Sequence, residues 1–296
     1  MTARFTSSEK IAETSSKGNQ EKWLDGNKWY KLDQFGYEAL AETAISKLLE
    51  SSNIETDTPF SFVRYQMERI HAHGRERTAC SSENFLTEGQ SIITLSHLLR
   101  RHEHKDLKAI LTALSSDKQR IAYIAKSTVE ITGLAEFPQY LTLLFEVDAL
   151  FLNDDRHLNN IAVLYKDGKY NYCPIFDNGA GLLSNTQFSP MDIEPKALMP
   201  ELQARPFNTT FTRHRNTARS LFGPQLYISN FTRVQIAELL EPLLPYYAQR
   251  DRGIILDRVC AEIWQDRSYN RKGDKNEQTI EMRVQHRYRL RRTVVF

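Results

Sequence analysis

The chain has 296 residues, 41% of them apolar, enough to bury a core of ordinary size in one globular unit of two lobes. Its 39 basic and 37 acidic residues nearly cancel, which excludes a protein that coats nucleic acid with its whole surface. Cys80, Cys173 and Cys260 are odd in number and far apart, which excludes a disulfide framework and a zinc cluster and points to a reducing compartment.

The first residues lack the basic, apolar and small-residue sections of a signal peptide, and no apolar run reaches about 18 residues. A cytoplasmic protein without a transmembrane segment is expected. Residues 1–13 are polar and read as a frayed end or an edge strand. A small polar turn follows, containing Ser16, Lys17, Gly18, Asn19, Gln20, Glu21 and Lys22. Gly18 lets the backbone approach an anion, and successive amides in such a turn form an anion-binding concavity. Trp23-Leu24 and Lys28-Trp29-Tyr30-Lys31-Leu32 then flank Asp25-Gly26-Asn27, the pattern of a β-hairpin. Lys31 on this aromatic strand is either an exposed edge charge or an amine directed at phosphates.

Helical spacing is predicted over residues 35–50, with Tyr37, Ala41, Ala44, Ile45, Leu48 and Leu49 on one face and Glu38 and Glu42 on or beside it. From Phe60 a short alternation reads as a strand entering the connection between lobes, with Arg64, Tyr65, Gln66 and Met67 as the hinge. The rest is predicted mostly helical. Thr87-Glu88-Gly89-Gln90 and Thr232-Arg233-Val234-Gln235 have capping-box spacing, and residues 117–127 and 252–264 carry helical patterns. Residues 178–223 scatter Gly, Pro, Ser, Asn and Thr with little periodicity, as a long functional loop does.

The most informative stretch begins at residues 137–152, which are almost wholly apolar and predict a helix buried on most sides. A polar octet interrupts it, Asn153-Asp154-Asp155-Arg156-His157-Leu158-Asn159-Asn160. Two apolar arms around Lys166-Asp167-Gly168-Lys169 then predict a hairpin that carries Asp177 back beside Asp155 and Asn160. In this layout Asp155 orients the proton of an attacking hydroxyl, Asn160 offers a neutral oxygen to a metal, and Asp177 is the charged ligand. Magnesium takes few protein ligands and completes its shell with phosphate and water, so two suffice. His157 is expected to brace the loop.

Asp155-Arg156-His157-Leu158-Asn159-Asn160 resembles the Asp-Arg-His-x-x-Asn catalytic loop of HipA-like serine/threonine kinases, a loop shared with phosphoinositide kinases. Phe176-Asp177-Asn178-Gly179 resembles their metal-binding motif, and the turn from Ser16 to Lys22 their Gly-x-Gln-x-Lys phosphate loop. The resemblance implies an α+β bilobal kinase fold with residues 1–66 as the N-lobe and 67–296 as the C-lobe. It implies ATP and Mg2+ as cofactors and transfer of the γ-phosphoryl group to a protein serine or threonine. It selects Glu38 as the ion-pair partner of Lys31, with Glu42 as the alternative, and assigns adenine to backbone groups of the hinge. Ser16, Lys17, Gly18, Asn19, Gln20, Lys22 and His157 fall on the nucleotide side.

The resemblance also implies autophosphorylation at Ser15 or Ser16, a role as toxin or effector, and an antitoxin partner. Little sequence precedes the phosphate loop, so the extra N-terminal subdomain of HipA itself is expected to be missing. Two other functions compete: a phosphoinositide-type lipid kinase, and a module that retains nucleotide without turnover. His71-Ala72-His73 and His102-Glu103-His104 lack a nearby cysteine, and residues two apart on a helix do not face one another, so both pairs read as surface histidines. The basic tail from Arg283 to Arg292 reads as a solvated face, with attraction of a polyanion as its functional alternative.

Overall fold

The structure, a computed structural model, describes residues 4–5, 20–103 and 107–263. Ser16, Lys17, Gly18, Asn19, His104 and the basic tail lie outside the described residues.

Two strands, β2 (Lys22–Asp25) and β3 (Lys28–Leu32), form the expected first hairpin, with Gly26 at φ 62 turning the chain. The helix α1 (Glu38–Leu49) follows, and then β4 (Gln66–Ala72) and β5 (Arg75–Glu83). With a two-residue strand β1 (Arg4–Phe5) parallel to β4, these make one sheet of order β1-β4-β5-β3-β2. Alternation along β5 puts Ala79 on the face of Trp23, Tyr30, Leu32 and Ile70, and Cys80 on the face packed with α1.

The sheet moves the expected lobe boundary. Gln66 and Met67 pair with Ser81 and Cys80 inside the small lobe, so the division at 66/67 falls at the first residue of an internal strand. The residues placed at the hinge do other work. Arg64 is a surface ion pair with Glu55 at 3.0 and 2.6 Å, and Tyr65 is buried with its ring 5.2 Å from the Lys31 amine. The connection to the helical lobe is the stretch 84–90, after β5.

That lobe opens with β6 (Ser91–Thr94), where a helix had been expected from the capping-box spacing at Thr87; Thr87 and Gln90 instead close a turn. Helices α2 (Leu95–Glu103), α3 (Leu107–Ala113), α4 (Asp117–Thr132) and α5 (Phe137–Phe151) follow. The predicted hairpin is β7 (Ala162–Lys166) and β8 (Lys169–Tyr172), turning at Asp167 (φ 49) and Gly168 (φ 80), and β6 joins it in a three-stranded sheet. The long stretch after Asp177 is less irregular than expected, because it contains α6 (Phe211–Phe222), capped by the Thr210 side chain. Two further helices, α7 (Arg233–Leu240) and α8 (Gln249–Ile263), complete the lobe, and α7 carries the predicted capping box at Thr232 and Gln235. Among the described residues no helix is long and apolar enough to cross a membrane.

Candidate active site

The site is built from the end of α5. Twelve of its fifteen residues are buried, so the helix is fixed in the core, and it ends where Leu152 turns left-handed at φ 50. The next residue, Asn153, is buried and donates from Nδ2 to the Asp148 carboxylate at 2.9 Å. This ties the polar loop to the helix that precedes it.

Arg156 is the loop's brace. Only 1% exposed, it places Nε 3.1 Å from both oxygens of Asp148, donates from Nη1 to the carbonyls of Asn160 (3.1 Å) and Phe176 (2.6 Å), and from Nη2 to the Asn178 side chain (2.6 Å). One guanidinium thus fastens the polar loop to the helix before it and to the residues on either side of Asp177. Its planar fork of five donors is suited to this, whereas an ammonium would act as a point charge. The bracing role expected of His157 belongs to Arg156. The His157 amide donates to the Asp155 carbonyl at 2.8 Å, but its ring Nε2 lies 3.8 Å from the Asp155 carboxylate, beyond hydrogen-bond reach, and its Nδ1 is buried with no partner among the described residues.

Asp155 projects from this fixed loop with its side chain 59% exposed at the cleft. Partial burial pushes its carboxyl above the ordinary aspartate value and the Asp177 charge adds to this, against the opposing effect of His157. Asn160 donates from Nδ2 to the Asp155 carbonyl at 2.9 Å, which leaves its amide oxygen available as an acceptor or metal ligand.

The β7–β8 hairpin returns the chain to Asp177, held at φ 62, a conformation that costs an L-residue energy and persists only where its surroundings impose it. Its carboxylate accepts from the Lys31 amine at 2.7 Å. Lys31 is 7% exposed and donates also to Glu42 Oε1 at 2.5 Å. Burial alone would lower the ammonium's pKa, yet Asp177 and then Glu42 hold it well above the usual lysine value. Burial likewise disfavours charge on Asp177, but Lys31 and then Lys22 hold it well below the usual carboxylate range. Lys22 is the direct cross-strand partner of Lys31, so both amines share the sheet face turned to Asp177. Gln20 is tied to the strand, donating to the Leu32 carbonyl at 2.9 Å.

Glu42 is therefore the partner of Lys31, and Glu38 is not. Glu42 is fully buried, and its second oxygen accepts from the Asn178 amide at 2.9 Å, so it links the small-lobe lysine to the residue after Asp177. Glu38 turns back on its own helix start, accepting from the amides of Phe35 at 2.7 Å and Gly36 at 3.0 Å. One turn of helix separates the two candidates, and the helix start consumes the first. The pair yields a clean expectation. Where ATP is the ligand, as the resemblance implies, Glu42→Gln is expected to weaken its binding and turnover by about tenfold or more, a typical loss for one charge-assisted hydrogen bond, whereas Glu38→Gln lowers the melting temperature and leaves the ATP Kd near wild type. Titration of both variants with ATP, alongside thermal melts, checks this.

The donor set fits a small hard cation. Asp177 is held ionised with one oxygen engaged by Lys31, Asn160 offers an amide oxygen, and both are oxygen donors of the kind Mg2+ takes. Among the described residues no cluster of three or more His, Cys, Asp or Glu side chains forms a metal cage, so a cation held here would take the rest of its shell from phosphate and water.

Two lobes, a buried lysine at their junction and an acidic loop facing it define a bilobal α+β protein with a small β-rich lobe and a larger, mostly helical one. In structure the chain is similar to the Helicobacter pylori proinflammatory kinase CtkA, with a TM-score of 0.49 and 12% identity over 84% of this chain and 89% of that one. It is also similar to HipA from Shewanella oneidensis MR-1, solved in a toxin-antitoxin complex with HipB and operator DNA, with a TM-score of 0.42 and 12% identity over 85% of this chain and 65% of that one. No protein-family model matches the chain, and no curated protein matches it in sequence.

Proposed function

We propose that the protein transfers the γ-phosphoryl group of ATP to a serine or threonine hydroxyl of a protein. The observation that carries this reading is the buried Lys31 amine, shared between Glu42 of the small lobe and Asp177 of the large one, with Asp177 joined through Arg156 to the loop of Asp155 and Asn160. Phosphoryl transfer asks little covalent chemistry of a protein; it asks for positioning and for positive charge at the transferring group.

Each residue then has a task. Lys31 keeps Glu42 and exchanges Asp177 for a phosphate oxygen, with Lys22 adding positive charge beside it. Asp177 and Asn160 hold Mg2+, which when bound neutralises charge on the phosphates. Asp155 accepts the proton of the acceptor hydroxyl. His157 lies on the nucleotide side of the loop. Adenine sits against the 84–90 connection, where Phe85 packs on Phe176 with ring centroids 6.4 Å apart. A partner of antitoxin type belongs to the reading only as far as the kinase does.

The test supplies radiolabelled ATP with a cell lysate and, in parallel, with phosphoinositide vesicles. Label in proteins, and on Ser15 or Ser16 of the chain itself by mass spectrometry, is the expected result. Label in lipid alone replaces the protein acceptor with a lipid one, and ATP bound without transfer to either sinks the enzyme.

A further inference from the structure

Beyond the cleft, one buried charge is used by nothing described so far. Arg258 on α8 is 1% exposed, and among the described residues no carboxylate pairs with it. Its guanidinium is spent on backbone carbonyls: Nη1 donates to Leu183 at 3.3 Å and Ser189 at 2.8 Å, and Nη2 to Pro190 and to Ile193 at 3.3 Å. Desolvating a charge is expensive, so a guanidinium held this way is a strong constraint on the strand of chain it gathers.

The chain it gathers is strained. Leu182 and Leu183 are both left-handed, at φ 58 and φ 55, both are buried, and neither is glycine. Tyr37, from the start of α1, holds the other side: its hydroxyl donates to the Leu182 carbonyl at 2.6 Å and its amide to Ser184 at 3.1 Å. Gly36 comes so close that a Cβ there would lie 2.0 Å from the Ser184 carbonyl oxygen. Upstream, the Ser184 hydroxyl donates to Gly179, and the Gly181 amide donates to Asn178, the residue whose own amide is held by Glu42. Asp177 is thus the start of a segment pinned by the small lobe through Tyr37 and by the helical lobe through Arg258.

We infer that Arg258 is a positioning residue: its four-carbonyl grip, with Tyr37 opposite, holds the segment 182–193 in the one form that fixes Asp177 against Lys31 and presents an ordered platform beside Asp155. The inference deepens the kinase reading and rests on it for its catalytic half. Its structural half stands on these contacts alone. Arg258 touches none of the groups assigned to nucleotide, so its loss lowers kcat and leaves the KM for ATP near wild type.

The experiment compares wild type, Arg258→Ala and the milder Tyr37→Phe by chymotrypsin digestion, with kinetics on the same preparations. Phe188 is 77% exposed and gives the protease a site within the segment. Cleavage between 182 and 193 is expected to accelerate about 10–100-fold in Arg258→Ala, the equivalent of a lost charge-assisted hydrogen bond, and to accelerate less in Tyr37→Phe. Added guanidinium chloride at millimolar concentration, well below denaturing levels, restores protection and kcat in Arg258→Ala and has no effect on Tyr37→Phe. Unchanged cleavage in both variants, or uniform cleavage across the whole chain without guanidinium rescue, overturns the inference. If the segment behaves as expected while wild type transfers no phosphate, the positioning grip stands and the kinase reading falls.

Discussion

Asp155→Ala is expected to leave a folded protein that still binds ATP and to lower phosphoryl transfer by about 10²–10⁴-fold, the usual worth of a positioned acid–base group. The fold survives because the side chain is 59% exposed and its nearest partners are distant, Asn160 Nδ2 at 3.4 Å and His157 at 3.8 Å. A surface truncation of this kind changes stability by less than about 0.5 kcal/mol. The pH profile supplies a second reading of the same carboxylate. Asp155 must be ionised to accept a proton, and partial burial first, with the Asp177 charge adding to it, raises its pKa. Activity is therefore lost as pH falls through a value above the ordinary ~4 of an aspartate. Its neighbour Asp154, pushed up to about 6 by burial and then by Asp155, titrates nearby. Asp154→Asn is the control, since it removes the neighbouring titration and leaves Asp155 in place, so an acid limb owed to Asp155 persists in it. Full activity in Asp155→Ala, or an acid limb that disappears in Asp154→Asn, removes Asp155 from the role of base.

The parts of this site legible in the sequence are those fixed by local chemistry. Asp167-Gly168 demands a tight turn with both residues at positive φ, and that turn alone brings Asp177 back to the loop of Asp155. The apolar run before Asn153 could only be a buried helix, and it is. What escaped was set by contacts across the fold. The β4–β5 hairpin turns at His73 and Gly74, both at positive φ, but His-Gly is not among the dipeptides that announce such a turn, and β5 reads Arg-Glu-Arg-Thr-Ala-Cys-Ser-Ser-Glu with one β-branched residue. The lobe boundary was misplaced for that reason. Glu42 rather than Glu38 meets Lys31, and spacing along a helix does not reveal that the first glutamate is taken up by the amides of Phe35 and Gly36. Arg156 stands inside the Asp-Arg-His-x-x-Asn stretch without anything there to mark it as the brace, and Asp148 and Arg258 gave no signal beyond being charges near apolar residues. A charge in an otherwise buried pattern, as Asp148 is in α5, is the one cue that such a brace exists.

The largest stability effect in the chain is expected at that brace. Arg156→Met removes the guanidinium from Asp148, which is 2% exposed and among the described residues keeps only Asn153 as a side-chain partner. Breaking a buried pair from one side typically costs about 3–5 kcal/mol, because the remaining charge is buried without compensation. Against a total stability of about 5–15 kcal/mol this is a large share, and the melting temperature should fall by roughly 6–20 °C. Adding Asp148→Leu removes the orphaned charge, and the double variant is expected to recover much of the loss, since a buried pair is often replaceable by apolar groups of similar volume. Activity is expected to behave differently. The carbonyls of Asn160 and Phe176 and the side chain of Asn178 lose their shared donor in both variants, so Asn160 and Asp177 are no longer fixed relative to each other. Displacements near 1 Å in such groups cost about 10²-fold in rate. Recovered stability with turnover still depressed is the expected pair of results from thermal melts and ATP turnover. Turnover that returns in step with stability assigns Arg156 to the fold alone and leaves the geometry of the site to its other contacts.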